Sequence, residues 1–122
     1  MRNFTVHFTE KSQLDLAEIL SYIAEDNLEN AILFTEKIYN SINDTLSVLP
    51  LSGTFYGTKQ EHDVRTLVVH KSYTVFYVIL EQQEQVEVIK IFNTYTDNVR
   101  FHHKLKKEGI IKSSKNRSSK KH

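Results

Sequence analysis

The sequence predicts an α+β fold of order β-α-α-β-β-β, with a helical hairpin packed on one face of a small, mostly antiparallel four-stranded sheet. Three observations predict it. Residues 63–94 hold three β-patterned stretches in succession, split by Lys71-Ser72 and by the polar run Glu81-Gln82-Gln83-Glu84-Gln85. Upstream, apolar residues recur every three or four positions in two blocks, which is helical spacing. At the start, Phe4, Val6 and Phe8 alternate with Asn3, Thr5 and His7, as in a half-buried strand.

Each element follows from local signals. Ser12-Gln13-Leu14-Asp15 fits a capping box, with Thr9 as an alternative cap. Leu14, Ala17, Leu20 and Ala24, flanked by Leu16, Ile19 and Ile23, form a stripe that runs to about Glu25. A second box, Asp26-Asn27-Leu28-Glu29, closes the first helix and opens the next. There Ala31, Phe34, Ile38, Ile42, Leu46 and Leu49 predict a helix of about five turns. Pro50 stops it, and Gly53 and Gly57 mark a loop. A turn this short makes the helices antiparallel. Strands at 64–70, 73–80 and 86–93 then form a meander, with Glu81 to Gln85 as a solvated hairpin loop. Residues from Asp97 to Lys107 suit one short helical segment before the tail.

The middle strand, Tyr73–Leu80, is apolar at nearly every position and so expects cover on both faces. Tyr73, Val75, Tyr77 and Ile79 share one face; Thr74, Phe76, Val78 and Leu80 share the other. Two helices cover one set. The other is expected to form a groove that is closed by the C-terminal segment through Phe101 and Leu105, by a second copy, or by another protein.

A chain of 122 residues makes one domain with a thin core. Cysteine is absent, which excludes a disulfide scaffold and a cysteine-based zinc site. The first residues lack the apolar core of a signal peptide and no stretch reaches membrane-spanning length, so a soluble cytoplasmic protein with no membrane partner is expected. The net charge of +1 conceals an asymmetry: residues 103–122 carry eight Lys/Arg against one acid, a net of +7, and residues 1–102 carry −6. An acidic body matches a nucleic-acid backbone poorly; the basic tail matches it well and has the composition of a disordered segment. The expected division is therefore a folded domain at 1–102 and a tail at 103–122, which either contacts nucleic acid or solubilises the chain. No Gly-rich phosphate loop, zinc spacing or serine-centred nucleophile motif occurs, so no cofactor and no metal are expected.

Taken in order, several segments resemble the RelE/ParE superfamily of bacterial type II toxin–antitoxin toxins, in its ParE-like, plasmid-stabilisation branch. They are the opening F-x-V-x-F strand, Leu16-Ala17-Glu18-Ile19-Leu20-Ser21-Tyr22-Ile23-Ala24 with its short turn, and Leu49-Pro50-x-x-Gly53. Val64-Arg65-x-Leu67-Val68-Val69, Tyr73-x-Val75-Phe76-Tyr77 and Val86-x-Val88-Ile89-x-Ile91 complete the set. The likeness runs from residue 4 to about 95. It implies a toxin neutralised by a small antitoxin that adds to the sheet and fills its grooves. ParE-like members resemble poisons of DNA gyrase without a catalytic site. RelE-like members resemble ribonucleases that cut messenger RNA on the ribosome, using cations and an acid–base pair on the sheet. A member without toxic activity is a third alternative.

Residue by residue, the ribonuclease pattern is thin. Thr74 stands where RelE-type enzymes often carry arginine, and Asn93-Thr94-Tyr95 follows the last strand. Arg65, Tyr95, Arg100, His102 and His103 remain as catalytic candidates, and Arg65, Tyr73, Tyr77, Tyr95 and Arg100 as an antitoxin or target groove. Arg65 is either a groove cation or a structural ion pair with Glu87 or Asp63. Tyr73 and Tyr77 read as packing rather than catalysis. Adjacent His102 and His103 point apart on a helix or strand, which disfavours a shared metal. His7, His62 and His70 read as ordinary surface residues.

Overall fold

The structure, a computed structural model, describes residues 3–94 and a two-residue strand at 111–112. The elements are β1 (Thr5–Phe8), α1 (Glu10–Ala24), α2 (Leu28–Val48), β2 (Thr54–Lys59), β3 (His62–Val69), β4 (Tyr73–Leu80), β5 (Gln85–Asn93) and β6 (Ile111–Lys112), with single 3-10 turns at Pro50–Ser52 and Glu81–Gln83. The α+β class, the helical hairpin and the β3–β4–β5 meander agree with the sequence. The strand count does not: the sheet has six strands, in the order β1-β5-β4-β3-β2-β6. Among the described strands only β1 and β5 pair in parallel.

The missed strand β2 occupies the stretch read as a glycine loop. Gly57 marks a bulge rather than a turn: Phe55 faces Arg65 and Gly57 faces Val64, leaving Tyr56 as the extra residue. β6 pairs with the outer edge of β2 and lies inside the 103–122 stretch.

Of the two caps read for α1 the structure takes the alternative, and the start of α2 shifts by one residue. Thr9, not Ser12, caps α1, its Oγ1 accepting from the Ser12 N–H at 3.2 Å. Thr9 also donates its N–H and its hydroxyl to the Val88 carbonyl, so the cap sits where β1 leaves the sheet. Asn27, not Asp26, caps α2, accepting from the Asn30 N–H at 2.9 Å. The N–H of Asp26 still closes the end of α1 on the Ile23 carbonyl, so Asp26 is unavailable as an extended cap.

The helices cover the sheet face of Tyr73, Val75, Tyr77 and Ile79. Ile38, Ile42 and Leu46 of α2, all fully buried, pack there with Leu16 of α1. Burying each such side chain contributes about 1.5–3 kcal/mol. In α1 the inward face is Ser12, Asp15, Leu16 and Ile19, not the apolar stripe through Leu14, which is exposed. Asp15 tolerates burial because its Oδ2 accepts the Ile91 N–H at 3.0 Å and its Oδ1 meets Lys11 Nζ at 2.7 Å. Leu49, expected on the buried stripe of α2, is exposed because the helix ends at Val48.

The opposite face is not bare. Val64, Phe76, Val78 and Phe92 form a second buried cluster, and Phe76 meets Tyr56 edge-on at 4.7 Å and Phe92 at 5.8 Å. The groove expected there is thus filled at its centre, and an open pocket lies near the β2–β3 hairpin. No helix among the described residues is long and apolar enough to cross a membrane.

Candidate functional site

The two faces of the sheet hold different polar chemistry. On the helix side, Tyr77 and Arg65 stand opposite each other in register. The Tyr77 hydroxyl donates to the Pro50 carbonyl at 2.7 Å and accepts the Gly53 N–H at 3.0 Å. Arg65 Nη2 donates to the carbonyls of Gly53 at 2.6 Å and Leu51 at 3.3 Å. Together they pin the turn after α2. A Cβ at position 53 would collide with the Thr66 carbonyl and the Tyr77 hydroxyl, so only glycine fits. Burial pushes the Tyr77 phenol up from its ordinary value; the Gly53 hydrogen bond and Arg65 pull the other way without prevailing. The phenol therefore stays protonated and can donate.

Tyr73 is buried beside Phe34 at 5.8 Å, and Phe34 also meets His70, whose Nε2 lies 3.1 Å from Ser41 Oγ. Of the groove candidates, Arg65, Tyr73 and Tyr77 therefore lie together in the packed layer under the helices. Arg65 binds backbone carbonyls rather than Glu87 or Asp63. Tyr95, Arg100, His102 and His103, the helical segment from Asp97 and the closing residues Phe101 and Leu105 lie outside the described residues. Thr74 faces away from the helices and shares a 2.6 Å hydroxyl contact with Thr94.

On that helix-free side the structure holds an open pocket of about 610 Å³ that sequence reasoning missed. Val78, Leu80 and Ile89 give it apolar walls. Lys11, Lys59, His62 and Lys90 bring cationic or donor groups from α1, both arms of the β2–β3 hairpin, and β5; among the described residues Glu87 is the one acid in the lining. The hairpin turns on Gln60 and Glu61, both left-handed at φ 50° and 70°, which sets Lys59 opposite His62. Lys90 reaches the pocket through a second bulge. Phe76 pairs with Lys90 but Tyr77 pairs with Val88, so Ile89 is extra, and Ile89 and Lys90 both line the same face. Among the described residues no cluster of His, Cys, Asp or Glu could hold a metal.

The outer surface of the helices differs again. Residues 10–48 carry eight acids and two lysines, a net of −6. Tyr22, Leu28, Ile32, Leu33 and Tyr39 are exposed there, Tyr22 to 75%. Apolar exposure on this scale within an acidic surface suits protein contact better than nucleic-acid contact.

A family model described as the ParE toxin of type II toxin–antitoxin systems, parDE, matches residues 6–97. Among solved structures, the chromosomal ParDE toxin–antitoxin system from P. aeruginosa aligns with a TM-score of 0.59 at 17% identity, over 74% of this chain and 95% of that one. The toxin–antitoxin complex RelBE2 from Mycobacterium tuberculosis aligns with a TM-score of 0.51 at 19% identity, over 76% of this chain and 93% of that one. At these identities the likeness is one of fold. No curated protein sequence matches the chain.

Proposed function

Because the chain belongs to the ParE toxin family of type II toxin–antitoxin systems, we propose that it arrests growth by binding a protein target, DNA gyrase, and that a cognate antitoxin holds it inactive. The observation that carries this reading is the place of Arg65. It is the only arginine among the described residues, and its guanidinium is bound to two backbone carbonyls on the helix side. A phosphodiester-cleaving site needs such a cation aimed at its substrate. The exposed apolar residues of the acidic helical layer supply the surface for a protein target instead. Supercoiling by purified gyrase tests it: inhibition by the chain is expected, and undiminished supercoiling at molar excess overturns it.

A second reading, a ribosome-dependent messenger-RNA endonuclease, draws on one observation: His62 and Glu87 share the pocket with Lys59 and Lys90, which places acid–base groups beside cations. It expects translated messages to be cleaved during growth arrest, and cleavage to be lost in His62→Ala. Intact messages remove it. Induced expression without a growth defect would instead mark a member that has lost toxicity.

The basic tail is a separate proposal. If it contacts nucleic acid, truncation after Lys107 weakens that binding and flattens its salt dependence. An unchanged salt slope leaves the tail a solubiliser.

A further inference from the structure

We propose that the pocket on the helix-free face is an acceptor for an acidic segment of the antitoxin, taking a carboxylate on Lys59 and His62 at its rim and an aliphatic side chain against Val78, Leu80 and Ile89. This rests on the reading of the chain as an antitoxin-held toxin and names the place and chemistry of the contact.

Three observations carry it. First, Lys59 and His62 face each other across the hairpin, and their side chains have no hydrogen-bond or ion-pair partner among the described residues. Two donors fixed by one tight turn suit the two oxygens of a single carboxylate. Second, the pocket is mixed in character. Its walls are aliphatic, and a volume of about 610 Å³ admits more than one side chain of an extended segment. An acidic residue beside an aliphatic one satisfies both parts; a bare anion satisfies only one. Third, the charge balance points to a peptide rather than a nucleic acid. Residues 54–94 carry four Lys/Arg and five Asp/Glu, so the sheet as a whole does not attract a polyanion. Glu87 in the lining disfavours a chain with a phosphate at every nucleotide more than a segment with one carboxylate seated at the rim. Among the described residues no Phe, Tyr or Trp lines the pocket, although single-stranded nucleic acid gains much of its affinity by stacking on such rings.

The lining also spans the junction where β1 gives way to α1 through Thr9 and Lys11. Lys11 is anchored to Asp15 and through it to the Ile91 amide. One side of the acceptor is thus fixed to the sheet before any partner arrives, and the entropic cost of forming it on binding is reduced.

The test uses the full chain and the product of the adjacent reading frame, with affinity measured by calorimetry. The expected result is tight binding by the wild type, about tenfold or greater weakening in Lys59→Glu, and further weakening in Lys59→Glu/His62→Glu. The control Lys37→Glu, on exposed α2, is expected to stay within about twofold of wild type. Unfolding midpoints confirm that each variant is folded. Wild-type binding with an unchanged Lys59→Glu affinity overturns this inference alone. Failure of the wild type to bind overturns the antitoxin reading, and the inference with it. If a single-stranded oligoribonucleotide binds and Lys59→Glu removes that binding while antitoxin affinity is untouched, the pocket is a nucleic-acid site and the inference is wrong.

Discussion

The two faces of this sheet are built from neighbouring residues of the same strands, yet they spend their polar groups differently. On the helix side Arg65, Tyr77 and Asp15 are turned inward and bound to backbone, where they hold a turn and a strand edge in place. On the other side Lys59, His62 and Glu87 border an open pocket, with Lys90 buried in its wall. The lesson is that a cation on a sheet says little until its face is known: Arg65, read as either a groove cation or a structural residue, binds backbone carbonyls, whereas Lys59 was passed over.

Predictions follow from breaking each face in turn. The largest effect is expected in the packed layer. Ile42→Ala, at a fully buried position, should destabilise by about 2–5 kcal/mol in chemical denaturation. Gly53→Ala should cost about 1–3 kcal/mol through the clash with the Thr66 carbonyl and Tyr77, and a neutral result would contradict the latch. Tyr77→Phe strands the Gly53 N–H and the Pro50 carbonyl and should cost roughly 1–3 kcal/mol.

The same tyrosine gives a pH signature. Its folded pKa is raised above the ordinary 10.0 by burial, so the folded state keeps the proton longer than the unfolded chain. That contribution is fully present below pH 10 and is lost as pH rises through the folded pKa. Stability should therefore fall on the alkaline side of pH 10, and less steeply in Tyr77→Phe; equal slopes would mean that Tyr77 is not the group responsible. Smaller again is Thr9→Ala, expected to lose about 1 kcal/mol with the α1 cap. At the bottom of the scale, Lys59→Glu should change stability by no more than about 0.5 kcal/mol, since it alters an incompletely buried hairpin residue.

Much of the fold was legible because period and punctuation agreed. β4 begins at Tyr73 and ends at Leu80 as read, since turn signals bound an unbroken apolar run. The inward stripe of α2 through Ile38, Ile42 and Leu46 followed from helical spacing. The misreadings trace to the same physical cause, an interruption of regular period. Gly57 signals a break, but a bulge and a loop share that signal, and β2 was lost to it. On β5, strict alternation puts Lys90 on the face of Val86 and Val88; the bulge at Ile89 moves it to the opposite one, and with it the pocket. The α1 stripe was drawn through apolar residues only, whereas two of its inward positions are the polar Ser12 and Asp15. Which face the helices cover cannot be read from two equally apolar sets on β4. The pocket assembles residues from five elements, and only the tertiary fold brings them together.

The most direct measurement of this division is a pair of variants assayed twice, by thermal unfolding and by affinity for the product of the adjacent reading frame. The expected result is that Tyr77→Phe lowers the melting temperature and, while folded, keeps its affinity, whereas Lys59→Glu keeps the melting temperature and loses affinity. A folded Tyr77→Phe that loses as much affinity as Lys59→Glu would contradict the separation of the two faces.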